Sequence, residues 1–403
     1  MTPHHVDETK QQDPSTLRKV AVVLPQGKVS GAEKMLLELL ADSLPYEIVV
    51  CAPVESELSD ACLLLGYTVE DFYLPKLRDV GVRRFPRQLI HSIMALREIV
   101  LEHEIDILHG FLSLTEKVVV PVGVVTNRPI VMSVHDVVTS EAIGWWRSRA
   151  HLFLARASGL HSIAVSEFVR RSMMDAGYQA NRIRVVHNGV ARPAIIDGPP
   201  SRDSLGIPTD AVVFMQLGRI TRWKGHMLAL EAFHRLCASN VGRDMHLVFA
   251  GRPFFKEDEG FYEKLQDAVA KSRYQDRIHF VEHTSAVGNL YEVADVVLVP
   301  SVAPDPFPTV VLEAAHCGRP VIVSNAGGGV EAVVHGETGF ACEPTAASFV
   351  EAMFQTLDRR WRCSAGVAAC DYAQRHFSRD AYRQGIVQAW REAGGKSRKS
   401  EAR

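Results

Sequence analysis

The sequence predicts an α/β protein made of two doubly wound domains. Three observations carry that expectation. At 403 residues the chain exceeds the size at which one core usually keeps growing. Short β-branched runs alternate with longer segments of helical apolar spacing, the pattern of parallel sheets covered on both faces. One stretch near the middle, ARPAIIDGPPSRDSLGIPTD (191–210), holds four prolines and two glycines and interrupts the alternation.

In order, the first half offers strands KVAVVLP (19–25), EIVVCAP (47–53), IDILHGF (105–111), PIVMSVHD (129–136), GLHSIAVS (159–166) and RIRVVHNGV (182–190). The connecting segment AEKMLLELLADSL has apolar residues at helical spacing. The second half repeats the scheme with AVVFMQLG (211–218), MHLVFAG (245–251), RIHFVEH (277–283), VVLVPS (296–301) and PVIVSNA (320–326). Domains are expected over 19–192 and 211–375, joined by a linker over 193–210. A helix over 376–393 is expected to return to the first domain. The polar segments 1–18 and 394–403 read as disordered tails.

Composition narrows the function classes. A hydrophobic share of 47% and a charged share of 23% are those of an ordinary soluble globular protein. A net charge of −2 gives no bulk attraction to nucleic acid, and none is expected as a partner. The seven cysteines are odd in number and form no CxxC pair, so they read as reduced thiols in a cytosol-like compartment. The first eighteen residues lack the apolar core of a signal peptide, and no apolar run reaches the roughly 18 residues of a membrane span. The expected location is cytoplasmic, with room for peripheral contact at the inner face of a membrane.

Two stretches carry chemistry. GRITRWKG (218–225) places Arg219, Arg222 and Lys224 between a strand and a helix, with no acid among them. A helix start adds unpaired N–H groups and about half a positive charge, so the turn suits a multiply charged anion such as a diphosphate. It is neither a GxxxxGK[ST] loop nor a GxGxxG fingerprint. Further on, Asp305 lies in a proline-rich loop and Glu313 eight residues later in the next helix. Carboxylates so placed can accept hydrogen bonds from the vicinal hydroxyls of a sugar or ribose, although a carboxylate near a helix start is also an ordinary cap.

These segments resemble the nucleotide-sugar glycosyltransferases of GT-B architecture, in the large family known as GT4. The resemblance rests on Gly218-Arg219 with Lys224-Gly225, and on Glu313, Gly318-Arg319-Pro320-Val321, Gly327-Gly328-Gly329, Glu331 and Gly336-Glu337-Thr338-Gly339. It covers roughly residues 211–345. Asp305 stands where the family carries a first Glu, and Val330 where it carries Pro. The resemblance implies that Arg219 and Lys224 hold the donor diphosphate with N–H groups near Thr309 and Val310. It implies sugar contacts for Asp305 and ribose contacts for Glu313. In the N-terminal half, Gly31-Ala32-Glu33 resembles the family's glycine-rich turn, and His109 and His135 sit at strand ends facing the cleft, His135 near the donor sugar. Gly31, Glu33, His109 and Glu331 are accordingly substrate-binding candidates.

By that resemblance the chemistry is sugar transfer with retention, from a nucleotide-diphosphate sugar to a glycan or polyprenyl-linked acceptor, in building a bacterial surface polysaccharide or lipopolysaccharide. No cofactor is expected. The sequence holds no Asp-x-Asp, so no metal is expected, cationic side chains serving the diphosphate instead. Two further readings stay open: a GT-B phosphorylase or epimerase, and a nucleotide-sugar-binding protein without turnover. The basic segment 76–97, with six Lys/Arg and one Asp, and GWWRSR (144–149) are candidates for contact with an anionic membrane surface.

Overall fold

A computed structural model describes residues 18–75, 77–138, 160–239, 244–282 and 284–400. The segment 144–149 therefore lies outside the described residues. Among those described, two parallel sheets form the frame. The first has seven strands, β1 (Lys19–Val23), β2 (Glu47–Ala52), β3 (Thr68–Asp71), β4 (Ile107–Phe111), β5 (Ile130–Val134), β6 (His161–Ala164) and β7 (Ile183–Val185), in the order β3-β2-β1-β4-β5-β6-β7. The second has six, β8 (Val212–Leu217), β9 (Met245–Ala250), β10 (Ile278–Val281), β11 (Val296–Val299), β12 (Val321–Ser324) and β13 (Gly339–Cys342), in the order β10-β9-β8-β11-β12-β13.

Central strands are buried throughout. Those of β4, β5, β9 and β11 show no exposed residue, which is why their sequences are continuous apolar runs. β3 and β13 carry no such signal. TVED holds two acids and GFAC begins with glycine, and each strand lies at a sheet edge with one neighbour to satisfy.

Each sheet reverses its winding once. In the first the switch lies between β1 and β4, in the second between β8 and β11. Crevices beyond the carboxyl ends of strands at such points are where open α/β sheets bind ligands. The carboxyl ends of β1 and β4 face those of β8 and β11 across the gap between the domains.

The proline-rich stretch is fastened to the second domain. The Ile196 N–H donates to Asn289 Oδ1 at 3.0 Å, and Arg202 pairs with Asp295 at 2.9 Å. The last helix, Arg379–Ser400, docks on the first sheet through the fully buried Trp390 and continues beyond Ala393. This corrects the expected disordered tail over 394–400. Gly394 is buried against Arg18 and the Ile107 side chain, and the docked face carries the helix onward. No helix among the described residues is long and apolar enough to cross a membrane.

Candidate functional site

A cleft of about 820 Å³ opens at the two switch points. Gly31, Leu112 and His135 line it from the first domain, and Gly218, Arg219, Lys224, Asp305, Thr309 and Val310 from the second. A smaller cavity of about 310 Å³ adjoins it, sharing Gly31, Gly218, Arg219 and Phe254 and walled by Arg252, Glu282 and Leu290.

The basic turn is rigid for local reasons. Gly218 leaves β8 at φ 139°, a conformation side chains resist. Gly225 has φ 75°, and a Cβ there would lie 1.8 Å from the Pro300 carbonyl oxygen. The Val302 N–H also donates to the Trp223 carbonyl at 2.8 Å, so residues 222–225 are locked to the end of β11. Arg219 is backed by Phe254 and Phe255, with its guanidinium 5.7 and 5.9 Å from their ring centroids. Lys224 lies 4.4 Å from the Trp223 ring and pairs with Asp305 Oδ2 at 2.7 Å. Arg222 is exposed.

The same packing changes which helix start borders the cleft beside these cations. Gly225 and His226, at the start of helix His226–Ala238, border neither cavity: Gly225 lies against Pro300, and the His226 ring is buried beside the Thr221 carbonyl and Phe249. The helix start that lines the cleft is that of Thr309–His316. Its Pro308 cap supplies no side-chain acceptor, which leaves the first N–H groups for a ligand.

Asp305 is 7% exposed, and its Oδ2 also accepts from Ser301 Oγ at 3.2 Å. Its loop is held by both domains. Ser166 Oγ donates to the Pro306 carbonyl at 2.8 Å and Asn188 Nδ2 to the Phe307 carbonyl at 3.2 Å. Glu313 lies about one turn beyond Val310, 3% exposed, and borders neither cavity directly. Its Oε1 accepts from Lys34 Nζ at 2.6 Å and its Oε2 from the Tyr291 hydroxyl at 2.9 Å. Burial, then the Glu313 charge, pushes the Tyr291 phenol well above its ordinary range and keeps it a donor.

His135 borders the cleft, stacked on Phe111 with ring centroids 5.6 Å apart. Burial pushes its imidazole down to about 4, and its Nε2 has no hydrogen-bond partner among the described residues. It is a neutral ring with a polar edge to spare. His109, expected on the cleft side, is wholly buried instead. Trp390 Nε1 donates to its Nδ1 at 3.0 Å, which puts the ring proton on Nε2, 2.8 Å from Ser133 Oγ. Burial, then His135, pushes its pKa down to about 3.

Two motif acids do other work. Glu33 is fully buried and closes a capping box with Ser30, whose N–H it accepts at 3.1 Å, so it shapes the turn while Gly31 lines the cleft. Glu331 binds the other domain: it accepts the Glu167 and Phe168 N–H groups at 2.9 and 2.8 Å and meets His187 Nε2 at 2.8 Å. Burial raises the Glu331 pKa, but the hydrogen bonds from His187 and the two N–H groups outweigh it and hold the carboxyl below its usual range. A lowered folded pKa contributes stability above the usual carboxylate range and loses it as pH falls through the folded value. The stability gap between wild type and Glu331→Gln should therefore be widest near neutral pH and narrow as pH falls below the usual carboxylate range. Thermal unfolding of both forms across that range checks this, and a gap independent of pH would contradict it.

Both halves of the chain match glycosyltransferase families. Residues 198–365 match the family described as Glycosyl transferases group 1, and residues 29–192 match Glycosyltransferase Family 4. The lipopolysaccharide 1,2-N-acetylglucosaminetransferase of Salmonella typhimurium is 30% identical over 183 residues, 44% of this chain and 47% of that one. A D-inositol 3-phosphate glycosyltransferase of Acidothermus cellulolyticus is 30% identical over 233 residues, 55% of this chain and 51% of that one. The matched stretch spans about half the length of these relatives. Anabaena HepE, solved with UDP and glucose, superposes with a TM-score of 0.78 at 22% identity, over 93% of this chain and 99% of that one. A glycosyltransferase from Rickettsia africae gives 0.79 at 19% identity, over 94% and 98%. At these identities the structural likeness shows the fold.

Proposed function

The chain belongs to the GT-B glycosyltransferases, with family 4 and group 1 domains, and on that premise we propose that it moves a sugar from a nucleotide-diphosphate sugar to a glycan or lipid-linked acceptor with retention of configuration. One observation carries the reading: Arg219, Lys224 and the uncapped start of helix Thr309–His316 converge on one wall of an interdomain cleft. A departing diphosphate needs preorganised positive charge there. The diphosphate itself takes the acceptor proton, so no protein nucleophile is required. His135, neutral and with Nε2 unengaged, faces the donor sugar, and the smaller cavity takes the nucleobase. The cations serve in place of a metal.

Lys224 and Asp305 form a pair that an arriving diphosphate enters as a third member. The names of relatives acting on lipopolysaccharide support a surface-glycan acceptor. The basic segment Leu77–Glu102, helical on either side of a break at Gly81, exposes Val82, Ile90 and Met94 beside Arg83, Arg84 and Arg87 beyond that break, which supports peripheral contact with an anionic membrane from the cytoplasmic side.

The test is nucleotide release from UDP-, GDP-, ADP- and TDP-sugars, with and without EDTA, and flotation with anionic vesicles. Release from one class, unaffected by EDTA, is expected. Tight binding without release from any class would favour a binding protein without turnover. Release that EDTA abolishes and Mg²⁺ restores would overturn metal independence. Failure to float at low salt would overturn the membrane contact.

A further inference from the structure

Glu313 is tied to the opposite domain. Lys34 stands in helix Gly31–Leu40, directly behind the turn that lines the cleft, and its ammonium reaches the buried carboxylate at 2.6 Å. The two partners differ in freedom: the Lys34 side chain is 34% exposed and the Glu313 side chain 4%. On the far side the Tyr291 hydroxyl holds the second oxygen at 2.9 Å from wholly buried surroundings. A carboxylate offers about four lone-pair sites, and these two donors use one on each oxygen. One acceptor site per oxygen remains, which is the pattern a vicinal diol needs.

We propose that Lys34 is a positioning residue for the nucleotide's ribose: it supplies the counter-charge and fixes the rotamer with which Glu313 accepts the 2′- and 3′-hydroxyls. This rests on the nucleotide reading of the cleft given above and on the ribose role that the family resemblance implies for Glu313, which lies about one turn behind Val310 of the cleft wall. The contact also makes the ribose site a property of both domains, because the carboxylate belongs to the second and its orienting cation to the first. A buried carboxylate without a partnering cation is costly and can turn toward other donors. Removing the ammonium therefore loosens the acceptor pair and leaves the diphosphate site untouched.

Calorimetry with UDP, GDP and ADP and their 2′-deoxy counterparts tests the proposal on wild type, Lys34→Met, Lys34→Gln and Lys34→Arg. Wild type should prefer the ribonucleotide it binds best over its deoxy form by roughly 10-fold or more, as hydrogen bonds to charged groups do. Lys34→Met and Lys34→Gln should shrink that preference to within about 3-fold, chiefly by losing ribonucleotide affinity, and Lys34→Arg should restore most of it. A merely structural lysine would weaken both nucleotides alike and leave their ratio unchanged, which would overturn the proposal. Absence of a ribose preference in wild type, or of any nucleotide binding, would overturn the underlying assignment of Glu313 and this inference with it. Should Lys34→Met fail to fold, the ratio measured on Lys34→Gln decides.

Discussion

Replacing Lys224 by alanine should lower the rate of nucleotide release by on the order of 10²–10³, and Arg219→Ala should do the same. Each removes a cation that lines the larger cleft, where the proposed reading seats the diphosphate. Their side effects differ in a way the structure specifies. Arg219 rests on Phe254 and Phe255, so its loss costs little beyond the charge. Lys224 is the ion-pair partner of Asp305, which is 7% exposed, so its loss also strands a buried carboxylate beside the incoming diphosphate. Lys224→Ala should therefore weaken binding of the preferred nucleotide more than Arg219→Ala, and Lys224→Ala/Asp305→Asn should recover part of the affinity. Rates of donor turnover and calorimetry with the preferred nucleotide measure both effects. Variants that bind and turn over like wild type would remove the basis for the diphosphate site.

The second large effect lies far from the chemistry. Trp390→Ala should destabilise the N-terminal domain by about 3–5 kcal/mol, the cost of emptying a large buried aromatic site. The indole has no exposed surface, donates to His109 Nδ1 at 3.0 Å, and meets Tyr46 edge-on with centroids 5.2 Å apart. Its removal opens a cavity and orphans the His109 acceptor together. Urea unfolding followed by N-terminal-domain fluorescence should show the midpoint falling, and a change below ~1 kcal/mol would mean that the helix is not part of that core.

Much of the frame was legible in the sequence because burial writes itself into composition. Strands covered on both faces must be continuously apolar, so the central strands announced themselves. The edge strands TVED and GFAC did not, since one neighbour and partial exposure impose no such pattern. The continuation of the last helix past Ala393 was equally silent. GGKSRKS reads as a weak helix former, and its ordering comes from the docked face ahead of it, including Gly394 against Arg18.

The site divides the same way. The basic turn 218–225 and the acids Asp305 and Glu313 stood out by residue type and place, because a βα loop's position along the chain determines which end of the sheet it occupies, and the resemblance to GT4 enzymes added the roles of Arg219 and Lys224 and the Thr309–Val310 helix start. Order and spacing could not distinguish a carboxylate that meets substrate from one that holds the protein together. Glu33 and Glu331 carry motif positions yet serve a cap and an interdomain clasp, and His109 lies under Trp390 from a helix 281 positions away. Nor could any local pattern join Lys34 to Glu313 across 279 positions. The sequence by itself determined two doubly wound domains of parallel sheet and a cluster of cations in a turn between a strand and a helix. Only the tertiary structure decided which acids face the cleft, because a side chain's partners depend on how the domains meet, and that contact is set by surfaces remote from one another in the chain.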